Sequence, residues 1–488
     1  MAIDSKHPLY SEFFSDWVTL SDTFRGERVV KDKGSTYLPA TSGQTADGMG
    51  RENTKGQASY DAYKQRAVFH DVVAEAVNAL VGAMWHKPPT IELPAALDPL
   101  RERATIRGES LEMLLRRVNE EQLKKGRVGM LLELPEEIVR APGVLPWIAT
   151  YEAEQIINWD DGPRDDAALL DTVNLVVLEE TEYERTSSFE WELEEKYRVL
   201  VLGDTEENEG RNSGAIYQQA VFRDASSTFD EAELVVPKLR NRKLEKIPFV
   251  FVNAKDICAD PDDPPLLGLA QLALAIYRGE ADYRQSLFLQ GQDTFVTTGQ
   301  LQNQTQGVAV RTGAGAHVQL ETGGKAEFVG VDSSGIAEQR EAIQNDLAEA
   351  KQKSAKLFDS RSKQKESGDA LRIRVSSETA TLNRIALTGA GALQEILRTA
   401  AEWVGANPDE VVVVPNTDFA AEEFFSKELS ELMAAKNLGA PLSARSIHAL
   451  CVKRDLTALT YEEELEAIAE EQASTADEVE EPPFSDEE

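Results

Sequence analysis

Apolar positions along this chain change period several times, and each change marks a new element. In LLGLAQLALAIYRGEADYRQSLFLQGQ, residues Leu269, Leu272, Ile276, Tyr283 and Leu287 recur near helical spacing, which predicts one long helix over about residues 266–290. The short runs FVTTG, VAVRT, HVQLET and AEFVGVD then read as small strands separated by glycines. Helical spacing returns in IAEQREAIQNDLAEAKQKSAKLF. A polar stretch, DSRSKQKESGDALRIR, comes next. After it SSETATLNRIALTGAGALQEILRTAAEWVG starts at a serine cap and sets Leu382, Ile385, Leu393, Ile396, Leu397 and Trp403 on one stripe.

The first half reads as an α+β body. From Tyr60 to Trp85 a single helical stripe runs through Tyr63, Ala67, Val72, Val73, Ala76, Leu80 and Met84, and Pro88 and Pro89 stop it. Upstream, STYLPATSGQTADGMGRENTKGQ has turn composition and little periodicity, so residues 1–58 are expected to form an N-terminal arm or mobile loop. GESLEMLLRRVNEEQLKKG is a second amphipathic helix, with the strand VGMLLEL after it. The runs TVNLVVLEETEYER, WELEEKYRVLVLG, GAIYQQAVFR and AELVVPKL predict antiparallel strands, and KIPFVFVN closes the body. Beyond the third long helix, DEVVVVPNTDF reads as one buried strand returning to the body. FFSKELSELMAAKNLG and LSARSIHALCVKRDL then predict two helices joined at Gly439 and Pro441. From Glu462 onward thirteen acidic residues occur without Lys or Arg, and the end of the chain has no core-forming pattern, so it is expected to be disordered.

This order of elements resembles the portal proteins of tailed double-stranded DNA bacteriophages. The stretches PPLLGLAQLALAIYRGEADYRQSLFLQGQDTFVTTG and YKQRAVFHDVVAEAVNALVGAMWHKPP resemble, respectively, the segment opening the stem and the N-terminal helix of an uncharacterised portal-like family. The likeness spans roughly residues 60–470, and its motifs record packing and topology rather than chemistry. It implies an α+β portal-like subunit with an α/β wing, long stem helices, a small β-rich clip and a helical crown, assembling as a ring. The implied parts are the N-terminal arm (1–58), the wing (59–262), stem helix 1 (263–291), the clip (292–334) and stem helix 2 (335–358). A tunnel loop (359–375), a long wing helix with its return strand (376–418), the crown (419–470) and a disordered acidic tail (471–488) complete it. It further implies a homo-oligomeric ring of twelve subunits at a capsid vertex, with double-stranded DNA passing through its channel without sequence preference. The implied partners are the packaging terminase motor, the major capsid protein and the head–tail connector or adaptor, and the implied place is the virion, after assembly in the host cytoplasm.

Composition narrows the alternatives. The 488 residues carry a formal charge of −35, unlike a protein that works by gripping phosphates. In a ring, that charge suits a conduit that repels DNA and lets it slide, although acidic surfaces also serve solubility alone. The two cysteines, Cys258 and Cys451, are too few for a disulfide framework and point to a reducing compartment. No long apolar run or signal peptide is present, so a soluble protein without membrane contact is expected.

Motifs for bond chemistry are missing. The histidines at 7, 70, 86, 317 and 448 form no HExxH or Cys/His pattern, and neither RTGAGAH nor TGAGAL has phosphate-loop spacing. No enzyme activity, catalytic residue, metal or other cofactor is expected. A different phage virion or scaffold protein without a channel, or an acidic cytoplasmic enzyme, are the rival readings. The charged feature that departs from background is a basic island comprising Arg361, Lys363, Lys365, Arg372 and Arg374. It fits either a solvated loop paired with nearby carboxylates or, as the resemblance implies, a tunnel loop touching phosphates weakly at many registers. Residues 292–334 hold few large apolar side chains and would gain from pairing their strands with a neighbour's.

Overall fold

His7 opens the first helix: its ring Nδ1 accepts the Leu9 amide at 3.3 Å, and Pro8 brings no amide hydrogen that needs a partner. The computed structural model that shows this describes residues 3–133, 145–162, 173–203, 216–223, 234–239, 242–291, 294–298, 320, 322–329, 335–355, 368–417, 419, 422–453, 457 and 459–477. The chain divides into two compact units, Met1–Phe419 and Ala420–Glu488.

Helix α1 (Pro8–Arg25) buries Tyr10, Trp17 and Leu20, and α2 (Glu27–Asp32) and α3 (Ser42–Ala46) follow. Tyr37 and Leu38 are buried between them; Tyr37 Oη donates to Asp22 at 2.6 Å, and Tyr60 Oη donates to the Leu38 carbonyl at 2.8 Å. The arm expected over residues 1–58 is thus a packed part of the first unit. Its few aromatic and leucine side chains do the anchoring, while the polar residues between them gave the stretch a loop-like composition. Helix α4 (Lys55–Arg66) and α5 (Val72–Met84) replace the single helix expected from Tyr60 to Trp85. The chain turns extended at Ala67 (ψ 144°), which buries Ala67 and Phe69, the latter edge-on to Tyr277 at 5.9 Å. Both helices face the same core, so the apolar stripe runs across the break and conceals it.

A short strand β1 (Thr90–Glu92) precedes α6 (Leu111–Lys125), which Ser110 caps by accepting the Met113 amide. Then come β2 (Arg127–Glu133), β3 (Trp147–Glu152), β4 (Ile156–Asp160), β5 (Leu175–Glu179), β6 (Glu182–Arg185), β7 (Trp191–Glu194), β8 (Tyr197–Gly203), β9 (Ile216–Phe222), β10 (Lys238–Leu239), β11 (Arg242–Lys243) and β12 (Phe249–Asn253). They form an antiparallel three-stranded sheet, β12-β2-β3, and a four-stranded one, β4-β5-β8-β9. Alternation along β2 and β12 builds two cores from one sheet. Val128, Met130, Leu132, Val250 and Val252 face the layer that contains α6, whereas Leu131, Phe249 and Phe251 face the four-stranded sheet and Trp17. This double burial is why both strands read as nearly continuous apolar runs.

Helix α7 (Leu267–Gln290) leads to the strands β13 (Thr294–Thr298) and β14 (Lys325–Val329), then α8 (Ile336–Ala355), the 37-residue α9 (Gly368–Val404) and β15 (Val412–Val414), which pairs antiparallel with β1. The return strand therefore rejoins the body. The third long helix begins earlier than its serines suggest. Residues 368–375, expected within a loop over 359–375, are its first two turns, because ALRIRV is built of residues with good or tolerable helix propensity and outweighs the capping preference of Ser376 and Ser377. Buried Leu382, Ile385, Leu393, Ile396 and Leu397 form the expected stripe, and Trp403, 8% exposed, belongs to the core.

A polar joint locks α9 to the body. Gln122 Nε2 donates to the Asn253 carbonyl (2.7 Å) and to Thr388 Oγ1 (2.8 Å), Asn119 Nδ2 donates to Gln122 Oε1 (3.0 Å), and Trp85 Nε1 donates to Asn119 Oδ1 (3.1 Å). Gly389 lies directly over this joint, where an added Cβ would stand 2.6 Å from Asn119 Nδ2 and 2.8 Å from Gln122 Oε1. The glycines of TGAGAL permit close packing at this one position; around Gly391 there is open space.

In the second unit α10 (Glu422–Asn437), α11 (Ala444–Lys453) and a third helix, α12 (Tyr461–Asp477), follow one another. The acidic run expected to be disordered from residue 471 is helical to Asp477. Glu463 and Thr460 cap each other's amides at 2.8 and 3.4 Å, and three glutamates in the first turn suit the positive end of the helix dipole. Residues 478–488 lie outside the described residues.

Two neighbouring glycines should therefore respond oppositely. Gly389→Ala is expected to lower unfolding free energy by about 1–3 kcal/mol, by forcing apart buried amides that then lose their partners. Gly391→Ala is expected to leave it unchanged or raise it by up to about 1 kcal/mol, through helix propensity alone. Denaturant titration of the two variants checks this; equal effects would contradict the close approach at Gly389.

Candidate channel and docking segment

The segment from α7 to α9 is positioned by the loop that precedes it. Gly126 ends α6 with φ +73°, and a Cβ there would lie 3.0 Å from the Asp262 carbonyl and 3.2 Å from Pro264 Cα, so the chain entering α7 runs against the end of α6. Asn253 Nδ2 donates to the Cys258 and Asp260 carbonyls at 2.9 and 2.7 Å and to Asp256 at 3.2 Å. Arg127, fully buried, donates from Nη1 to the Ala259 carbonyl at 2.5 Å, and its guanidinium lies 4.1 Å from the Trp159 ring centre and 4.7 Å from that of Phe251. Burial pushes this guanidinium down to about 9, against the pull of Asp260 and Asp161. The acidic loop is thus held by amide and guanidinium donors from beneath. Cys258 lies exposed on it, its thiol pushed up by partial burial and the Asp256 carboxylate, which favours the unreactive form.

Beside this anchor is the most charged interior feature. Lys125, 2% exposed, pairs with Glu154 at 2.6 Å, Glu121 at 3.7 Å and Glu152; Lys124 pairs with Glu121 at 2.6 Å. Burial pushes the Lys125 ammonium down, but the carboxylates of Glu154, Glu121 and Glu152 outweigh it, so its pKa stands above the ordinary lysine value. Glu121 is raised, chiefly by burial. For Glu152, burial works upward and Lys125 prevails downward.

Helix α7 divides in function along its length. Its first part is core: Leu269, Ala270, Ala273, Leu274, Ile276, Tyr277 and Ala281 are buried. Glu280, 6% exposed, is held by Arg284 Nε at 2.7 Å and by His70 Nε2 at 3.2 Å. Tyr63 Oη donates to Asp282 at 2.6 Å, and Arg66 bonds Gln285 and lies over the Phe288 ring at 4.1 Å. The last turn leaves the core with Leu287, Phe288 and Leu289 each about two-fifths exposed. α8 packs back against α7 through Ile343 at Gly279, and little of the rest is covered: Ile343 and Ala350 are buried, and most other side chains face water.

Between these helices β13 and β14 pair antiparallel from Thr294↔Val329 to Thr298↔Lys325. Phe295 and Phe328 meet across the pair at 5.1 Å, yet Phe328 remains 60% exposed and Val329 47%. Among the described residues no layer lies behind this pair, and two strands alone are marginal. Of the expected strands, VAVRT and most of HVQLET lie outside the described residues.

The five residues of the basic island are not brought together by anything the structure describes. Arg361, Lys363 and Lys365 lie outside the described residues, while Arg372 and Arg374 fall within the first turns of α9. The exposed apolar end of α7 is the feature that spacing arguments missed; the run Leu287-Phe288-Leu289, three large apolar residues in succession, was its signal. Among the described residues no group of three or more His, Cys, Asp and Glu is placed to hold a metal. A cavity of about 80 Å³ lined by Arg117, Glu121, Thr150, Glu152 and Gln155 is smaller than a small-molecule site requires. No helix among the described residues is long and apolar enough to cross a membrane.

Residues 265–404, α7 to α9, match a family described as a domain of unknown function (DUF4055). No curated protein matches the chain. Its structure is similar to chains from gene transfer agent particles. One, from the neck of the native particle computed with C12 symmetry, is 15% identical, with a TM-score of 0.38 over 83% of this chain and 96% of that one. Another, from the virion of the native particle, is 13% identical with a TM-score of 0.39 over 83% and 96%. A third, from the neck of the empty particle computed with C6 symmetry, is 15% identical with a TM-score of 0.38 over 84% and 97%.

The lysine cluster yields a pH test. The stability that Lys125 supplies is complete below the ordinary lysine pKa and is lost as pH rises through its higher folded value. Lys125→Met leaves Glu121, Glu152 and Glu154 crowded, and is expected to cost about 3 kcal/mol at neutral pH. That deficit should shrink as pH falls and Glu121, whose carboxyl burial raises, takes up a proton. Urea titrations at several pH values measure it, and a deficit independent of pH would contradict the assignment.

Proposed function

We propose that this chain is a portal subunit of a tailed double-stranded DNA phage or phage-like particle, a non-enzymatic virion protein that closes with its copies into a ring at a capsid vertex. The observation that carries the reading is the order of parts: a long helix rooted in the body, an outlying two-stranded β unit, a second helix packed back on the first, and a 37-residue helix returning across the body to a closing strand. In this reading α7 and α8 are the stem, β13 and β14 belong to the clip, α9 is the wing helix, and α10 to α12 form the crown.

Each part has a physical reason to work in a ring. A β unit with no covering layer among the described residues and a helix end exposing Leu287, Phe288 and Leu289 both gain by burial against neighbours. Twelve copies of a chain with charge −35 make an acidic conduit, which keeps the duplex from adhering to the wall. The basic island from Arg361 to Arg374 supplies weak phosphate contacts at many registers, so DNA slides without being released. Terminase during packaging and the connector afterwards dock on the clip, and the capsid shell surrounds the wing. The function is mechanical and involves no bond chemistry.

Changing Arg361, Lys363 and Lys365 together to serine is expected to leave ring assembly and thermal midpoint nearly unaltered, since exposed charges contribute under about 1 kcal/mol each. Retention of packaged DNA should fall, and the difference should shrink at high salt. Rings that package and retain DNA normally at every salt concentration would remove these residues from the channel. Deleting residues 296–330 with a short flexible join is expected to leave a soluble subunit, because none of the described residues of this segment belongs to the cores of the first unit. Packaging should be abolished. Normal packaging by that deletion would refute the clip assignment.

A further inference from the structure

The residues before α1 form a strap along the outer edge of the four-stranded sheet. β4 ends the order β4-β5-β8-β9, so its outer side meets no other strand among the described residues. The strap takes that place: the His7 amide donates to the Ile157 carbonyl at 2.9 Å, and Asn158 Nδ2 donates to the Ser5 carbonyl at 2.9 Å. Ile3 is buried and joins the core that contains Tyr10, Trp17 and Trp159. The His7 ring stacks on the Trp159 indole with centres 4.1 Å apart, and the indole is buried. One turn further on, Tyr10 is buried and its Oη donates to the Glu154 carbonyl at 3.0 Å, which anchors the helix independently of the strap.

This arrangement requires a neutral His7 ring. Nδ1 accepts the Leu9 amide at 3.3 Å, so it keeps its lone pair and the ring proton sits on Nε2. A second proton would turn that acceptor into a donor facing a donor. It would also set a cation at the positive end of α1, whose first turn holds no acidic side chain. The indole beneath the ring already bears the Arg127 guanidinium at 4.1 Å, and the Lys6 ammonium lies over the Tyr10 and Phe14 rings at 5.3 and 5.5 Å. Opposing these cations are Asp160 and Asp161 at the end of β4 and Asp260 in the loop before α7, all three exposed to water and screened by it. Burial pushes the His7 ring below the ordinary histidine pKa; Asp260, Asp161 and Asp160 pull it up, Arg127 pulls it down, and the downward side prevails.

We propose that His7 is an acid-operated latch: neutral, it holds residues 3–9 along β4, and protonated, it releases them and uncovers the Ile157 carbonyl, the Trp159 ring and the outer edge of the sheet. Because the folded form holds the ring proton less readily than the unfolded chain, the stability that the latch supplies is complete above the ordinary histidine value of 6.5. It is lost as pH falls through the lower folded value. Opening stops at Tyr10, whose burial and hydrogen bond do not involve the strap. An uncovered strand edge can take up another strand, so the device offers a pairing edge in acid and closes it at neutral pH. It is independent of the portal reading.

Hydrogen–deuterium exchange read by mass spectrometry tests the latch on the full chain at about pH 7.5 and about pH 5, with intrinsic exchange rates corrected for pH. Protection of peptides spanning residues 3–12 is expected to fall by about tenfold or more at the lower pH, while peptides covering β12 keep theirs. The second result separates release of the strap from unfolding of the body. His7→Asn keeps a capping oxygen that does not titrate, and its strap should be equally protected at both pH values. Strap protection in the unmodified protein that does not change with pH overturns the latch. So does a loss in His7→Asn as large as in the unmodified protein, or a loss that β12 shares in full.

Discussion

A handful of buried amides beneath α9 hold the long elements in register. Gln122 and Asn253 are fully buried, and between them they bond Thr388 on α9, Asn119 on α6 and the loop that delivers the chain to α7. Each is a group whose desolvation costs more than its hydrogen bond returns unless all its partners are present. Both α7 and α9 are tied to Asn253, whose side chain holds the loop before α7 and whose carbonyl accepts from Thr388 on α9, and Gly126 and Gly389 allow the close approach.

Away from this joint the molecule becomes progressively less self-sufficient. The β2–β12 pair is buried on both faces; α7 is core for half its length; α8 is mostly in water; among the described residues no layer covers β13–β14 or β6–β7. That gradient runs from a body with buried cores of its own to parts with exposed apolar groups, which is consistent with the proposed assembly. The acidic balance fits the proposed reading: charge that would hinder a phosphate-gripping protein would serve a conduit for DNA.

Much of the fold was legible because apolar spacing survives wherever an element faces a single core. The stripe from Leu382 to Trp403, the start of α7 and the paired runs of β5 and β8 all follow it. Where the reading departed, a physical cause can be named. Tyr37, Leu38 and Tyr60 anchor a stretch whose other residues are polar, so 1–58 looked like an arm. Ala67 and Phe69 bury outside any helix, yet keep the stripe of α4 and α5 unbroken in sequence. Strands β3 and β4 were missed, as their aromatic and polar residues alternate only partly. Ser376 and Ser377, inside α9, mimicked a start, and residues 471–477, read as tail, continue the helix that Glu462, Glu463 and Glu464 begin. The basic island could be found as a charge anomaly; its geometry could not, since charge on a polar stretch records no fold.

Single-particle imaging of the purified, unmodified protein tests the central claim most directly. The account requires a closed ring with an open axial channel, α7 and α8 around the axis and the β13–β14 unit at one end of it. A population made up solely of monomers or two-fold dimers at micromolar concentration across several salts, or a ring in which α7 and α8 point outward, would contradict it.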